Sequence, residues 1–318
     1  MAIKEKIKHF LQNNPVVNLT KRIKFKNLNH ISLYEFIGLM ISGLAKGIFG
    51  LRIGAVSWAL FFSIFPFLLF LFSVLPYAPM YTEIEELLFS EFLPRILPER
   101  ITAEVITYVS ETARGQEERG GISWIYILLT ILLSSNGIFA IINGFNKSHY
   151  GYAKRRKGIN ARLVSIVLTL FFVVFIIVQL LLTYYTNFIW RYIEESKTFD
   201  DISPAIYLLN FASATLFYFT SLVMLYYYGT NIKQRFRTMF PGAIMATLLF
   251  FVTLMGFRYY VKEINRYDIL YGSVGLVMIM MLFIYINVLL ILIGFELNAT
   301  IDYAKNRKQE IPFEDAEV

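Results

Sequence analysis

The sequence predicts an all-α fold, an integral membrane bundle of six transmembrane helices with a cytoplasmic amphipathic N-terminal helix and a helical extracytoplasmic loop. Three observations carry this prediction. First, 57% of the 318 residues are hydrophobic and only 17% are charged, against about 25% charged in soluble domains, and the mean hydropathy is +0.55. Second, the apolar residues gather in six runs of about 20 or more, long enough to cross a hydrocarbon core of roughly 30 Å as helices. Third, the seven polar segments between and beyond these runs carry 9, 4, 6, 2, 3, 3 and 3 Lys or Arg in chain order. The alternate segments, beginning with the first, hold 21 of the 30 basic residues. This asymmetry places both termini on the cytoplasmic side.

Residues 1–50 form a basic cytoplasmic segment. Pro15 and several Asn mark a linker before an amphipathic helix over 31–50, where Ser32, Glu35, Ser42 and Lys46 recur at helical spacing opposite Phe36, Ile37, Met40, Ile41, Leu44 and Ile48. With charges inside it, this helix is expected to lie at the membrane interface. Residues 51–300 form the membrane domain, and 301–318 a cytoplasmic tail. Span one covers 53–75 and contains Pro66, which removes a backbone donor and predicts a kink. The outer segment 76–121 carries nine acidic and four basic residues, with amphipathic helices expected near 82–92 and 99–113. Spans two to six are expected at 122–142, 163–189, 202–228, 239–257 and 269–295. The loops 143–162 and 229–238 have six and three basic residues and no acidic ones. Trp124, Tyr126, Tyr184, Tyr185 and Trp190 mark outer borders, and Tyr226 to Tyr228 an inner one, as amphipathic rings do at headgroups. No cleavable leader is expected, since an apolar core with a small-residue cleavage site is not seen among the first 50 residues.

The sequence contains no cysteine, which excludes disulfides, thiolate metal sites and cysteine nucleophiles. His9, His30 and His149 are far apart, without a second ligand at metal spacing. No nucleophile elbow, phosphate-binding loop or dinucleotide fingerprint is present, so no cofactor and no catalytic residue is expected. Glu83, Glu85, Glu86 and Glu91 read as a solvated helix face. The basic run Lys154-Arg155-Arg156-Lys157 follows from topology and points to anionic lipid headgroups rather than nucleic acid.

Ionisable groups are confined to the span ends. Arg52 opens span one and Glu296 closes span six, both on the inner side, as a candidate ion pair or gate or as two separately solvated residues. Neutral polar groups enter the membrane: Ser57, Ser134, Ser135, Asn136, Asn210, Ser273 and Asn287 form a candidate polar path, alongside Gln179, Ser213 and Thr215. Interhelical hydrogen bonding explains such groups; the sharper reading is a polar cavity, with span two broken at Ser134–Gly137. Pro66, Gly137, Gly272 and Gly275 are candidate hinges. Gly43, Gly47, Gly50 and Gly54 recur at three- and four-residue spacing, as in helices that approach closely.

Several of these segments resemble the YihY/BrkB family of bacterial inner-membrane proteins, once described as ribonuclease BN. They are Arg52-Ile-Gly-Ala-Val-Ser-Trp-Ala-Leu-Phe-Phe-Ser-Ile-Phe-Pro66, Ser134-Ser-Asn-Gly137, Pro241-Gly-Ala243, and Tyr271-Gly-Ser-Val-Gly275 followed by Gly294-Phe-Glu-Leu-Asn-Ala299. The similarity spans about residues 45–300. Gly229-Thr230-Asn231 stands where many members have a proline. The resemblance implies six helices and an inner-membrane location, without an established reaction. RNA cleavage needs acid–base groups or metal-held water, and no such constellation is visible. The expected function is a transporter or flippase-like protein for a lipid-like or amphipathic substrate. The alternative is an envelope component acting through protein partners or as a homo-oligomer. Membrane lipids at the basic loops are the expected contacts in either case.

Overall fold

The computed structural model describes residues 20–24, 30–45, 49–74, 107, 124–148, 156, 158–195, 203–231, 235–263 and 273–306. The outer helices expected near 82–92 and 99–113, His9, His149, Gly47 and Gly272 lie outside the described residues. Seven α-helices follow in order: α1 Leu33–Ala45, α2 Phe49–Val74, α3 Trp124–Phe145, α4 Gly158–Glu195, α5 Ser203–Gly229, α6 Phe240–Glu263 and α7 Ser273–Asn306, with a 3₁₀ turn at Phe236–Met239 before α6. Six of them, α2 to α7, are long and apolar enough to cross a membrane. Among the described residues an isolated antiparallel bridge joins Lys24 and Ser32.

The N-terminal stretch expected as one helix over 31–50 contains α1 and the start of α2. Ser32 and Glu35, read above as part of a polar stripe, instead close the start of α1 as a capping box. The Glu35 amide donates to Ser32 Oγ (3.2 Å), while Ser32 N and Oγ donate to Glu35 Oε2 (2.8 and 3.0 Å). The first-turn amides thereby gain the partners that a helix start lacks. Leu39 and Gly43 are the buried residues of α1, which packs on α7.

Each membrane helix packs on the next, and α7 returns to α2, closing a ring of six. The end of the ring where α2 begins, α3 and α5 finish, α4 and α6 begin and α7 finishes is called the proximal end. Here α3 also meets α5 and α7 across the ring. Phe145 stacks on Phe295 at 4.2 Å and meets Tyr226 edge-on at 5.7 Å, filling the middle. The main core continues through Ile53, Val56, Ile142, Val223, Met239, Ala243, Val288 and Leu292. Towards the other, distal end Phe70, Leu71 and Val173 keep a small core among α2, α3 and α4, while the packing of α5 and α6 thins. No residue of α5 from 204 to 221 is buried, nor any of α6 from 248 to 260. Neighbouring helices still touch there through Phe175–Phe217, Phe211–Phe251, Tyr218–Phe250 and Phe257–Phe283.

The outer surface is apolar. Ile125, Leu128 and Leu129 on α3, Leu163, Val167 and Val174 on α4 and Leu248, Val252 and Met255 on α6 are all exposed. Surface of this extent is costly in water and ordinary against acyl chains.

Four expectations are corrected. Span two is unbroken, because α3 runs from Trp124 to Phe145. Its Ser134 and Ser135 hydroxyls donate to the Thr130 and Leu132 carbonyls of their own helix (2.5 and 2.8 Å), which satisfies them without opening it. Gly137 is accordingly a contact point: a Cβ there would strike Ser63 and Leu60 of α2. Gly50 and Gly54 are not close-approach sites, since a Cβ at either meets open space. Tyr226 is not a belt residue, being fully buried with its hydroxyl donating to the Ile291 carbonyl (2.9 Å). The last span also runs past its expected end. With 34 residues, α7 is about 51 Å long at 1.5 Å per residue, so Glu296 lies within the helix rather than at its border.

Candidate functional site

The proximal end is where segments far apart in sequence converge. Phe295 and Glu296 on α7 are adjacent, while Gly294 and Asn298 stand four residues apart on one side of the same helix. Gly294 faces Gly242 so closely that a Cβ on either would collide with the other's carbonyl oxygen. Asn298 Oδ1 accepts from the Gly242 amide (2.8 Å) and its Nδ2 donates to the Met239 carbonyl (3.1 Å). One side chain thus satisfies a donor in the first turn of α6 and an acceptor of the 3₁₀ turn before it. The Pro241-Gly242-Ala243 opening and the Gly294–Ala299 segment are two halves of one joint.

On the other side of α7, Glu296 is fully buried. Its Oε1 accepts from Arg52 Nη1 at 2.7 Å, with the two side chains 3% and 0% exposed. Its Oε2 accepts from Ser148 Oγ at 2.8 Å. The carboxylate therefore ties the start of α2, the end of α3 and the last third of α7. Arg52 is also held beneath the Phe49 ring, 5.4 Å from its centroid. A buried pair of this kind carries a large desolvation cost and offsets it only with close geometry and further hydrogen bonds. Glu296 has them. Arg52 does not: Nε and Nη2 are buried with no acceptor among the described residues.

Arg156 closes the same end from the loop between α3 and α4. Its Nε and Nη2 donate to the Thr230 carbonyl just after α5 (3.3 and 3.2 Å), while Asn146 exchanges two hydrogen bonds with its backbone. Burial lowers the Arg156 pKa from its ordinary value, and a guanidinium still keeps its charge. In the Gly229-Thr230-Asn231 turn, Gly229 packs on Phe145, and Thr230 is buried with its hydroxyl donating to Tyr226 (2.7 Å).

No two residues of the candidate path with described side chains are joined by a hydrogen bond. Ser57 is fully buried and donates to its own helix at Ile53, as Asn287 does at Phe283. Asn136 is exposed and accepts from Arg162 Nη1 (2.7 Å), whose Nη2 reaches the Leu132 carbonyl. This pair joins α3 to α4. Asn210 donates to Asn187 across the α4–α5 seam (3.1 Å), and Gln179 donates to Ser213 two turns further in. Ser273 opens α7. Of the candidate hinges, Pro66 lies inside a continuous α2, and Gly275 is buried inside α7.

Ser148 was missed from sequence, and three other contributors were read in different roles: Tyr226 as a belt residue, Arg156 as part of the basic run and Asn298 as one residue of a motif. Asn298 sat inside a quoted motif, and its fourfold spacing from Gly294 was the available signal. The partners of Ser148 and Arg156 were not legible, because they lie 148 and 74 residues away. Three further oxygens on α5, Asn210 Oδ1, Tyr218 Oη and Ser221 Oγ, are shielded without a partner among the described residues.

Six apolar helices closed at one end by buried polar ties define a multi-pass membrane protein. The chain belongs to the virulence factor BrkB family, which matches residues 45–317. It is 29% identical over 252 residues to YfkH, a ribonuclease-like protein of Bacillus subtilis strain 168, covering 79% of this chain and 89% of that one. It is 23% identical over 303 residues to a UPF0761 membrane protein of Alteromonas mediterranea, covering 92% and 97% of the two chains. No solved structure matches it.

Proposed function

We propose that the chain is a transporter or flippase-like protein for a lipid-like or amphipathic substrate, in a bacterial inner membrane with both termini cytoplasmic. The observation that carries this reading is the contrast between the two ends. The proximal end is closed by Arg52–Glu296–Ser148, by Arg156–Thr230 and by the Phe145, Tyr226 and Phe295 rings. From 204 to 221 in α5 and from 248 to 260 in α6 no residue is buried, and that stretch of α5 carries three oxygens without described partners. A bundle closed at one end and loosely packed along α5 and α6 towards the other suits alternating access, and the proximal ties are then its inner gate. The alternation of basic residues supports an inward-facing proximal end.

The polar path of this reading runs along α5, through Asn210 and Ser213 on the α4 seam and on to Tyr218, which stacks on Phe250 of α6, and Ser221, rather than through all seven residues. No buried charge lies along that seam among the described residues, so uncoupled, scramblase-like movement fits better than ion-driven pumping. The nuclease reading that the name of the Bacillus relative brings has little support. Among the described residues no three His, Asp or Glu side chains gather as a metal site would require.

Reconstitution into liposomes containing a fluorescent phospholipid tests the proposal. Transbilayer movement several times faster than in protein-free vesicles is expected. Rates equal to empty vesicles across phospholipid classes would reject it in favour of a role through protein partners.

A further inference from the structure

The buried guanidinium of Arg52 has more donors than its ion pair uses. Glu296 takes Nη1, and Nε and Nη2 are left without an acceptor among the described residues. These two nitrogens are not scattered. They lie on the same edge of the planar group, where they present two parallel N–H bonds. That edge matches a phosphate or carboxylate oxyanion in bidentate fashion. A structural ion pair alone does not require it, since a lysine supplies a charge for Glu296 with fewer donors to satisfy.

We propose that the Nε–Nη2 edge of Arg52 is a binding point for a phosphate oxyanion, carried on a phospholipid headgroup or free, engaged as the proximal closure opens. Position selects phosphate over carboxylate. Arg52 lies in the first turn of the apolar span Phe49–Leu71, so its edge, once uncovered, is within reach of headgroup phosphates bordering that end. Glu296 holds the guanidinium by one nitrogen and so fixes its plane with the unused edge free. Phe49 lies over the face of the group and is itself only partly buried. The pair as a whole is neutral. An arriving anion is therefore bound by paired hydrogen bonds rather than by net charge, and moderate salt should weaken it only modestly.

The inference deepens the transport reading by naming the chemistry of the substrate, yet its test measures binding and no flux. A protein that binds phosphate and moves no lipid would overturn the transport reading and leave this one standing.

The full chain in detergent is exposed separately to short-chain phosphatidylglycerol, to diacylglycerol with the same chains and to inorganic phosphate, with Tm and native mass spectra recorded. Phosphatidylglycerol should raise Tm and remain as an adduct, and diacylglycerol should do neither. A response to phosphatidylglycerol but not to inorganic phosphate assigns the lipid headgroup, and a response to inorganic phosphate assigns the free ion as well. Arg52→Lys, which keeps a cation for Glu296 but has no fork, should weaken binding about tenfold or more. Equal binding of phosphatidylglycerol and diacylglycerol, no response to either phosphate probe, or undiminished binding by R52K would overturn the proposal. Should R52K fail to fold, the wild-type comparison of the two lipids is repeated in moderate salt, which screens the basic loops: a preference for phosphatidylglycerol that persists supports the proposal, and one that vanishes overturns it.

Discussion

At the scale of single residues, the proximal site rests on Glu296, a carboxylate with no exposure and two donors from different elements. Removing one member of such a pair leaves a charge buried without compensation, at a cost of about 3–5 kcal/mol. Arg52→Glu and Glu296→Arg should therefore each lower the Tm of the detergent-purified protein sharply. The double reversal should recover much of the loss, because the pair is re-formed across the same 2.7 Å contact. Additive losses in the double variant would show that the two groups act independently. Tyr226 offers a milder test. Tyr226→Phe keeps the ring against the Phe145–Phe295 stack but strands the Ile291 carbonyl's second bond. A loss of about 0.5–1.5 kcal/mol is expected, read as a small drop in Tm.

At the scale of helices, glycine separates positions that look alike in sequence. Gly242 and Gly294 stand where α6 and α7 meet, and each Cβ would collide with backbone of the other helix. Gly242→Ala and Gly294→Ala should each destabilise by about 1–3 kcal/mol as overpacking forces the helices apart. Gly50 and Gly54 face open space within α2. There, alanine removes backbone freedom without meeting anything, and stability should hold or rise by up to about 1 kcal/mol. Thermal melts of the four variants decide between these cases, and a loss at Gly50 or Gly54 comparable to that at Gly242 would contradict the packing described. The small-residue spacing in the first helices was visible in sequence; which glycines touch a neighbour was not. That depends on the rotation of each helix about its axis, and a membrane helix that is apolar on every face has no polar stripe to reveal it.

At the scale of the whole molecule, six helices were legible because a bilayer demands about 20 apolar residues per span, and that demand is written locally. The ends were less so. The α7 span reads as stopping before Glu296 because charge normally ends a span, whereas Arg52 and Ser148 allow the helix to carry that charge inside. Ser134 and Ser135 looked like a break, since their partners are carbonyls of their own helix, which sequence does not display. The candidate pair Arg52–Glu296 was legible as two charges at matching depth; the other tie to Glu296 was not, because Ser148 comes from beyond the end of α3. The closed proximal end and loose distal end emerge only in the assembled ring, and they yield a test that the chain itself makes clean. It has no cysteine, so single cysteines can be introduced without background. Ser213→Cys and Ser221→Cys lie on the seam of α5 that lacks buried residues, while Val223→Cys and Val288→Cys lie in the proximal core. In sealed vesicles, a membrane-impermeant maleimide applied from the distal side should modify the first two and leave the second two unmodified. A thiol reacts as its thiolate, so labelling reports water beside the seam as well as space. Addition from the proximal side should label none of the four while the gate is closed. Labelling of Ser221→Cys equally from both sides, or of neither seam position from the distal side, would remove the asymmetry on which the transport reading depends.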